Sequence, residues 1–443
     1  MATDAIAEQQ AHLREFSTVT LRRLPLYRYL AGRSADDAEV AARLLLAPPE
    51  QRWTTLLFAA VHDRVLDALD RAGGDPARAA AAEPLCAWYP SATPDGVRRP
   101  LGVAGDDPWP HFRRLALEDP AVAADLATRA TQTNEVGRCA TTVPALAVLA
   151  AEVAQPIGLV EVGASAGLNL RLDAYGYRYS PDRPSRSYGR HGPANEPGGA
   201  PDHPPRSDDD RGGPGAIAGP AAVGGPVERG DLALPAGPAG VGPSGELAVG
   251  GGAGLVLASR WRGPHPPPWP GVPRLPEVVF RVGIDRQPVD VTDDAAARWL
   301  VACQWPEQAE RLDRCRRAVV LARADPPPLV AADLVAEVEA QVARVPAGAH
   351  PVVLSTWCLA YLDAGDQRRA LAALDRAGAV RDLTLLYQEK PGDVAGLDPP
   401  PRPDGVVDHR PTALCRQDWR AGRRRPARRL ADQHPHGTWA EWL

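Results

Sequence analysis

The residues best placed to do chemistry lie in one short stretch, Leu159-Val160-Glu161-Val162-Gly163-Ala164-Ser165-Ala166-Gly167-Leu168-Asn169-Leu170. An apolar run with the character of a buried strand enters a turn of small residues, and a helix is expected beyond it. A dinucleotide site asks for G-x-G-x-x-G there, because its second glycine lets the backbone approach a pyrophosphate. Ser165 holds that position, and its Cβ would crowd the phosphates. A serine hydrolase asks for G-x-S-x-G, which Gly163, Ala164, Ser165, Ala166 and Gly167 match letter for letter. Asp408 with His434 or His436 would complete the chain order serine, acid, histidine. That fold also needs several strands before the elbow and an upstream oxyanion motif, and neither is visible. A site that holds an amino acid and a nucleoside without a pyrophosphate tolerates Ser165. It also gives a reason for Glu161, since a buried carboxylate is costly without a partner and a ligand ammonium group would supply one. A bare tight turn with no ligand is the remaining reading.

A second acid falls where a nucleotide fold would use it. The run Arg281-Val282-Gly283-Ile284-Asp285-Arg286-Gln287-Pro288 puts Asp285 at the tip of a second strand, where ribose hydroxyls are held. It stands 118 residues beyond Gly167, against an expected gap of about 20. Residues 181–270 hold 38 glycines and prolines in 90 positions, in a chain with 41 glycines and 48 prolines. Such composition cannot bury enough apolar surface to offset chain entropy, so a disordered insertion at 181–274 is expected. Setting those residues aside leaves a gap of 24.

These residues must be positioned by two kinds of element. Up to residue 155 apolar residues recur at helical spacing. Expected helices include one capped by Ser34 over residues 39–46, one over 51–69, one at 121–130 after Asp119-Pro120, and one over 134–154 kinked at Pro144. From Ile157 short apolar runs alternate with helical windows. The runs are residues 157–162, 278–284, 329–331, 352–354 and 383–387; the windows are 294–303, 334–344 and 366–376. That alternation predicts a mostly parallel sheet covered on both faces. The domain boundaries read from it are 1–155 for an all-helical domain that lids the site and 156–443 for the α/β domain. The first strand should lie between the second and the fourth.

Other residues carry weaker signals. Asn134, Glu135 and Arg138 open the helix before the first strand and face the site if that helix runs antiparallel to it; otherwise they cap it. Glu307 and Arg311 read as an i,i+4 pair, with a substrate-facing role as the alternative. Tyr175, Tyr177 and Tyr179 alternate as in a half-buried strand. Residues 420–429 read as a basic, solvated loop or helix face. The chain of 443 residues is 44% hydrophobic and 24% charged, with a formal net charge of −5. That balance gives no footprint for nucleic acid. No run approaches the ~18 apolar residues of a membrane span, and no signal-peptide core opens the chain. The six cysteines are scattered and read as reduced thiols, and His434-Pro435-His436 lacks further ligands, so no metal is expected. A cytoplasmic protein follows as the expectation.

Two resemblances sharpen these readings. Glu161 with Gly163 and Gly167, the run Gly-Ile-Asp-x-x-Pro at 283–288, Ala332-Asp333 after the third strand, and Val352-Val353-Leu354-Ser355-Thr356-Trp357 resemble the motifs of class I S-adenosylmethionine (SAM) dependent methyltransferases. That resemblance implies a Rossmann-like sheet of class I methyltransferase type and SAM as cofactor. It places Glu161, Gly163, Ala164, Ser165, Ala166, Gly167, Asn169, Asp285, Asp333 and Ser355 around SAM. Asn134, Glu135 and Arg138 are the catalytic candidates, and the methyl acceptor is an unidentified small molecule or protein. Ser165 replaces the usual middle glycine, and no N-P-P-[YFW] signature is present. Serine hydrolase and non-catalytic binding module are the alternatives. More narrowly, the chain resembles an actinobacterial family of unknown function, DUF2332. The blocks that carry this are Gln132-Thr133-Asn134-Glu135-Val136-Gly137-Arg138, residues 161–170, residues 283–291, Trp305-Pro306-Glu307, and His436-Gly437-Thr438-Trp439-Ala440-Glu441-Trp442-Leu443.

Overall fold

The protein is seen in a computed structural model that describes residues 2–93, 99–182, 246–251, 254–402, 405 and 412–443. It divides into two compact units, and the division departs from the boundary at residue 155. Met1–Thr133 joins Val289–Arg323 in a helical unit. The helices Asp294–Ala302 and Ala309–Ala324 follow a strand in sequence, yet they cluster with the N-terminal helices. The reason is in their side chains. Trp299 enters the same core as Phe58, Tyr89 and Phe112, its Nε1 donates to the Ala130 carbonyl at 3.0 Å, and Arg298 pairs with the buried Asp63.

Local signals in this unit are mostly where the sequence puts them. Asp119 caps Pro120–Thr128 through the Ala121 N–H, and Thr54–Arg71 buries its apolar stripe. Ser34 is not a cap. It lies inside helix Pro25–Ala35, with its hydroxyl bonded to the Leu30 carbonyl. Asp37 caps the next helix, Ala38–Arg43, because a carboxylate accepts from two free N–H groups at once. Glu307 has a task in this unit: its two oxygens accept from the Leu26 and Tyr27 N–H groups at 2.8 and 3.0 Å, at the start of Pro25–Ala35.

The second unit is α/β, built, among the described residues, on one mixed sheet of twelve strands. These are β1 (Ile157–Val162), β2 (Gly176–Pro181), β3 (Leu247–Val249), β4 (Val256–Arg262), β5 (Val278–Asp285), β6 (Leu329–Ala331), β7 (His350–Thr356), β8 (Leu383–Glu389), β9 (Thr412–Arg420), β10 (Arg423–Arg424), β11 (Arg428–Gln433) and β12 (Trp439–Trp442). Their order is β3-β2-β4-β12-β11-β9-β8-β7-β1-β5-β6, with β10 paired to β9. The five runs read from the sequence form a contiguous parallel block, β6-β5-β1-β7-β8. As expected, β1 lies between β5 and β7. Ligand chemistry in such sheets gathers at the C-terminal strand edge. Helices Leu334–Arg344 and Ala364–Val380 pack on the face that carries Val160, Val162, Val353 and Leu385. Cys139–Val153 contributes to the opposite face, where Gln388 Nε2 donates to Thr142 Oγ1 at 2.7 Å. The window Val136–Val153 is long and apolar enough to span a membrane by length and composition, although no continuous apolar run foretells it; 72% of it is buried within the fold.

Two expectations fail beyond that block. The basic segment 420–429 is exposed over residues 421–426 and at 428, as a solvated face requires, but it is not the loop or helix expected, since it supplies the end of β9, all of β10 and the start of β11. The Gly/Pro-rich stretch is not a plain insertion either. Residues 247–249 and 256–262 are strands, and β4 bridges β2 to β12. Tyr177 and Tyr179 stack on one face of β2 with ring centroids 6.4 Å apart and are both buried, which gives that end of the sheet an apolar core despite its surroundings. Replacing residues 181–270 by a short Gly/Ser linker is therefore expected to destabilise the sheet unit by unpairing β2 and β12. A denaturant transition unchanged from that of the parent chain would show that β4 contributes nothing.

Candidate functional site

The site forms at the C-terminal ends of β1, β5, β7 and β8. Glu161 stands one residue before the end of β1 and is fully buried, while Asp285 ends β5. Between β1 and a 3-10 stretch (Leu168–Ala174), the chain makes its turn at residues 163–167. Gly163 and Gly167 have φ of 66° and 68°, a region open to glycine at little cost. Ser165 also has positive φ, 51°, a strained value for a residue with a Cβ. The turn is closely packed: a Cβ on Gly163 would sit 2.4 Å from Cys358 Sγ, and Ala164, Ser165 and Ala166 are buried.

Asp285, at the tip of β5, is bonded to this turn. Its Oδ2 accepts from the Ser165 N–H at 2.8 Å and its Oδ1 from the Gln287 N–H at 2.8 Å. Each carboxylate oxygen has room for a second donor. Glu161 Oε1 accepts from Asn169 Nδ2 at 2.8 Å, whereas Oε2 is buried with no partner. Burial pushes the Glu161 carboxyl up to about 8; the Asn169 bond works against this, Asp285 adds to it, and Arg138 opposes it. Asn169 also accepts from Cys139 Sγ at 3.4 Å. Asn134 Oδ1 takes the Leu168 N–H at 2.9 Å, tying the family block at 132–138 to the end of the turn.

Arg138 spans toward β7. It is 5% exposed, donates through Nη1 to the Thr356 carbonyl at 3.0 Å and through Nε to the Pro435 carbonyl at 2.8 Å. The first bond brings the start of Cys139–Val153 to the C-terminal edge of the sheet, as an antiparallel approach to β1 requires. Glu135 caps locally, its Oε1 accepting from the Gly137 N–H at 3.0 Å, while its Oε2 lies 3.5 Å from His436 Nδ1. Gly137 and Gly437 then meet backbone to backbone. A Cβ on Gly437 would stand 2.1 Å from the Gly137 carbonyl oxygen.

Two of the expected site residues are otherwise engaged. Ser355 Oγ donates to Glu389 Oε1 at 2.9 Å. Asp333 caps Leu334–Arg344 through the Val335 N–H and pairs with Arg286 through Nε at 2.9 Å. The Arg286 guanidinium and those backbone bonds hold the Asp333 carboxyl below its ordinary value, although burial works the other way.

Sequence reasoning missed Glu389 and Trp357. Glu389 is 2% exposed. Its Oε1 gathers Ser355 Oγ and the Cys358 and Leu359 N–H groups, and its Oε2 is buried without a partner. Burial raises its carboxyl to about 7 against those three donors and Arg138. The signal was available, since an acid closing an all-buried strand repeats the pattern of Glu161. Trp357 has φ of 58° and a buried Nε1 with no partner.

The hydrolase reading finds little here. Ser165 is 3% exposed, and its Oγ has no hydrogen-bond partner, histidine included. Before Ile157, the only β pairing among the described residues is the bridge of Val103 with Asp106. Asp408 lies outside the described residues. All six cysteines are unbridged. Among the described residues no group of three or more His, Cys, Asp or Glu is arranged to hold a metal.

Fold and site together define an α/β protein whose parallel strands end in a turn, two buried acids and orphaned polar atoms. The chain belongs to the DUF2332 family, described as an uncharacterized protein conserved in bacteria, which it matches over residues 10–214 and 232–442. No curated protein matches the chain. No solved structure matches it either.

Proposed function

We propose that this chain binds SAM at the C-terminal edge of its parallel strands, with methyl transfer to an unidentified small molecule or protein as the activity. The observation that carries the reading is the Asp285 carboxylate fastened to the turn at 163–167, beside the buried Glu161 with one oxygen unsatisfied. A group so deep and so poorly paired is costly unless a ligand completes it. SAM offers an ammonium and a sulfonium to an acidic site, and a ribose to Asp285. The strand order around β1 is the one expected of a class I methyltransferase-type sheet, although the antiparallel strands beyond β8 extend it in their own way.

On this reading Asp285 holds the ribose hydroxyls, and Glu161 faces the cationic end directly or through water. Ser165 Oγ, orphaned in the turn, is a further donor to the same ligand. Asn169 orients Glu161, and Asn134 orients the turn. Arg138 offsets part of the negative charge of the acids. When bound, SAM supplies an electrophilic methyl group. Ala164 and Ala166 leave no polar group to compete for the ligand. The packing of Cys358 on Gly163 has to loosen for the turn to receive it.

Titration calorimetry with SAM and its demethylated product tests this. The wild type is expected to bind both. Asp285→Ala is expected to weaken binding roughly 10- to 150-fold, the range for losing charge-assisted hydrogen bonds. Asp285→Asn keeps one acceptor and should fall between. A circular dichroism melt run beside each titration separates lost binding from lost fold. If the wild type binds neither ligand, or Asp285→Ala binds as the wild type does, the cofactor assignment fails and the non-catalytic reading takes its place.

A further inference from the structure

We propose a second ligand site, in the helical unit, for a small polyvalent phosphate. A concavity of about 600 Å³ is lined by Ser17, Arg22, Arg23, Pro25, Arg28, Tyr29, Gly32 and Arg33, within the size range of small-molecule sites. Pro25, Arg28, Tyr29, Gly32 and Arg33 follow the i, i+3, i+4, i+7, i+8 spacing that makes one helix face. The opposite face, with Leu26, Tyr27, Leu30 and Ala31, is the buried one, so this face looks to solvent. Here it carries two arginines, and two more, Arg22 and Arg23, come from the segment leading into it.

The charge balance is the main observation. Arg14, Arg64, Arg99, Arg113 and Arg129 of the same unit each hold a carboxylate. None of the four guanidiniums around the concavity does so among the described residues, and no acid lines it. Arg22 gives only its Nε, to the Thr18 carbonyl at 3.1 Å, and Arg33 lies 5.5 Å from the Trp109 ring. The nearby Asp107 is occupied by the Tyr29 hydroxyl at 3.0 Å and by the Trp109 N–H. The N-terminus of Pro25–Ala35 is already filled by Glu307, so the guanidiniums, not the helix end, would carry the anion.

The backbone gives a second and independent observation. Phe16–Thr20 is a π-helical turn, a rare conformation that occurs frequently at functional sites. It sets Ser17 in the wall of the concavity, with its hydroxyl bonded to the Arg28 carbonyl at 3.0 Å. Guanidinium forks match phosphate oxygens in pairs. Four of them around a space of this size suit a diphosphate group better than a monovalent anion.

The test is calorimetric titration of the full chain with inorganic pyrophosphate at low and at physiological ionic strength. Wild type is expected to bind, more weakly at the higher salt. The double variant Arg22→Glu, Arg28→Glu is expected to lose roughly 100-fold in affinity, about tenfold for each charge-assisted contact. A control with the same change in net charge, Arg423→Glu with Arg425→Glu, alters exposed arginines of the other unit and should bind as wild type does. Absence of binding by the wild type overturns the proposal. So does an equal loss in both variants, which would mean diffuse charge rather than a site.

Discussion

Gly437→Ala is expected to destabilise the α/β unit by about 3 kcal/mol or more. The new Cβ meets the Gly137 carbonyl oxygen at 2.1 Å and the Arg138 N–H nitrogen at 3.0 Å, both backbone atoms that cannot step aside. Gly437 also has φ of 72°, which costs an alanine roughly 1–2 kcal/mol by itself. The two contributions can be separated. Gly422 has nearly the same φ, 71°, but its nearest neighbours would be 3.6 Å or more away, so Gly422→Ala carries the conformational cost alone. Urea transitions of both variants measure the difference. If Gly437→Ala is as mild as Gly422→Ala, the close approach of the two glycines is not a constraint. Because the displaced backbone carries Arg138, ligand binding at the strand ends should weaken with it.

That contact explains why two blocks 300 residues apart belong to one structural unit. It was not legible in the sequence, because a glycine excluded by a distant backbone looks like any other turn glycine. Other elements were legible for physical reasons. Residues 157–162, 352–354 and 383–387 are buried on both faces and so read as unbroken apolar runs. In β9 and β11 the buried positions include Arg416, Gln417, Asp432 and Gln433. Three of them have partners: Arg416 pairs with Glu152 and Asp418, Asp432 with Arg402 and Arg429, and Gln417 Nε2 donates to the Asp418 carbonyl, whereas the side-chain amide of Gln433 is buried without a partner. Such strands have no apolar alternation to find. The strands β3 and β4 were hidden by composition, since a window counting glycine and proline over 90 residues averages away ten that pair.

The candidate site divides along the same line. The turn and Asp285 could be found because local chemistry sets their spacing. The gap between them was mis-explained, however, because it contains sheet as well as the intervening stretch. Asn134 and Glu161 bond the Leu168 N–H and Asn169 just beyond the turn, while Asp333 and Ser355 spend their oxygens on Arg286, a helix cap and Glu389.

The two buried acids make a prediction about pH that runs opposite to the usual one. Carboxyls such as Asp37 and Asp173 are held below their ordinary value by Arg113 and Arg281, despite burial. They contribute stability that is lost as pH falls toward their folded values. Glu161 and Glu389 are raised by burial, to about 8 and about 7. Between about 4.5 and those values the unfolded chain has released these protons and the folded chain keeps them. Stability of the α/β unit therefore falls as pH rises through this window, by up to about 1.4 kcal/mol per pH unit for each group, and levels off above it. Glu389→Gln should remove its part of the slope up to about pH 7, and Glu161→Gln its part up to about pH 8. Both variants should be more stable than wild type at pH 8, when the wild type carries buried ionised groups whose charge Arg138 offsets only in part. Denaturant transitions at half-unit pH steps measure this, and a wild-type slope that the glutamines leave unchanged would place the protons elsewhere. The same protons bear on the ligand. A cation bound beside Glu161 favours its ionised form, so SAM binding near pH 7 should release a proton, visible as a dependence of the calorimetric heat on the ionisation enthalpy of the buffer. Glu161→Gln should abolish that release even where it still binds, because the amide has no proton to give.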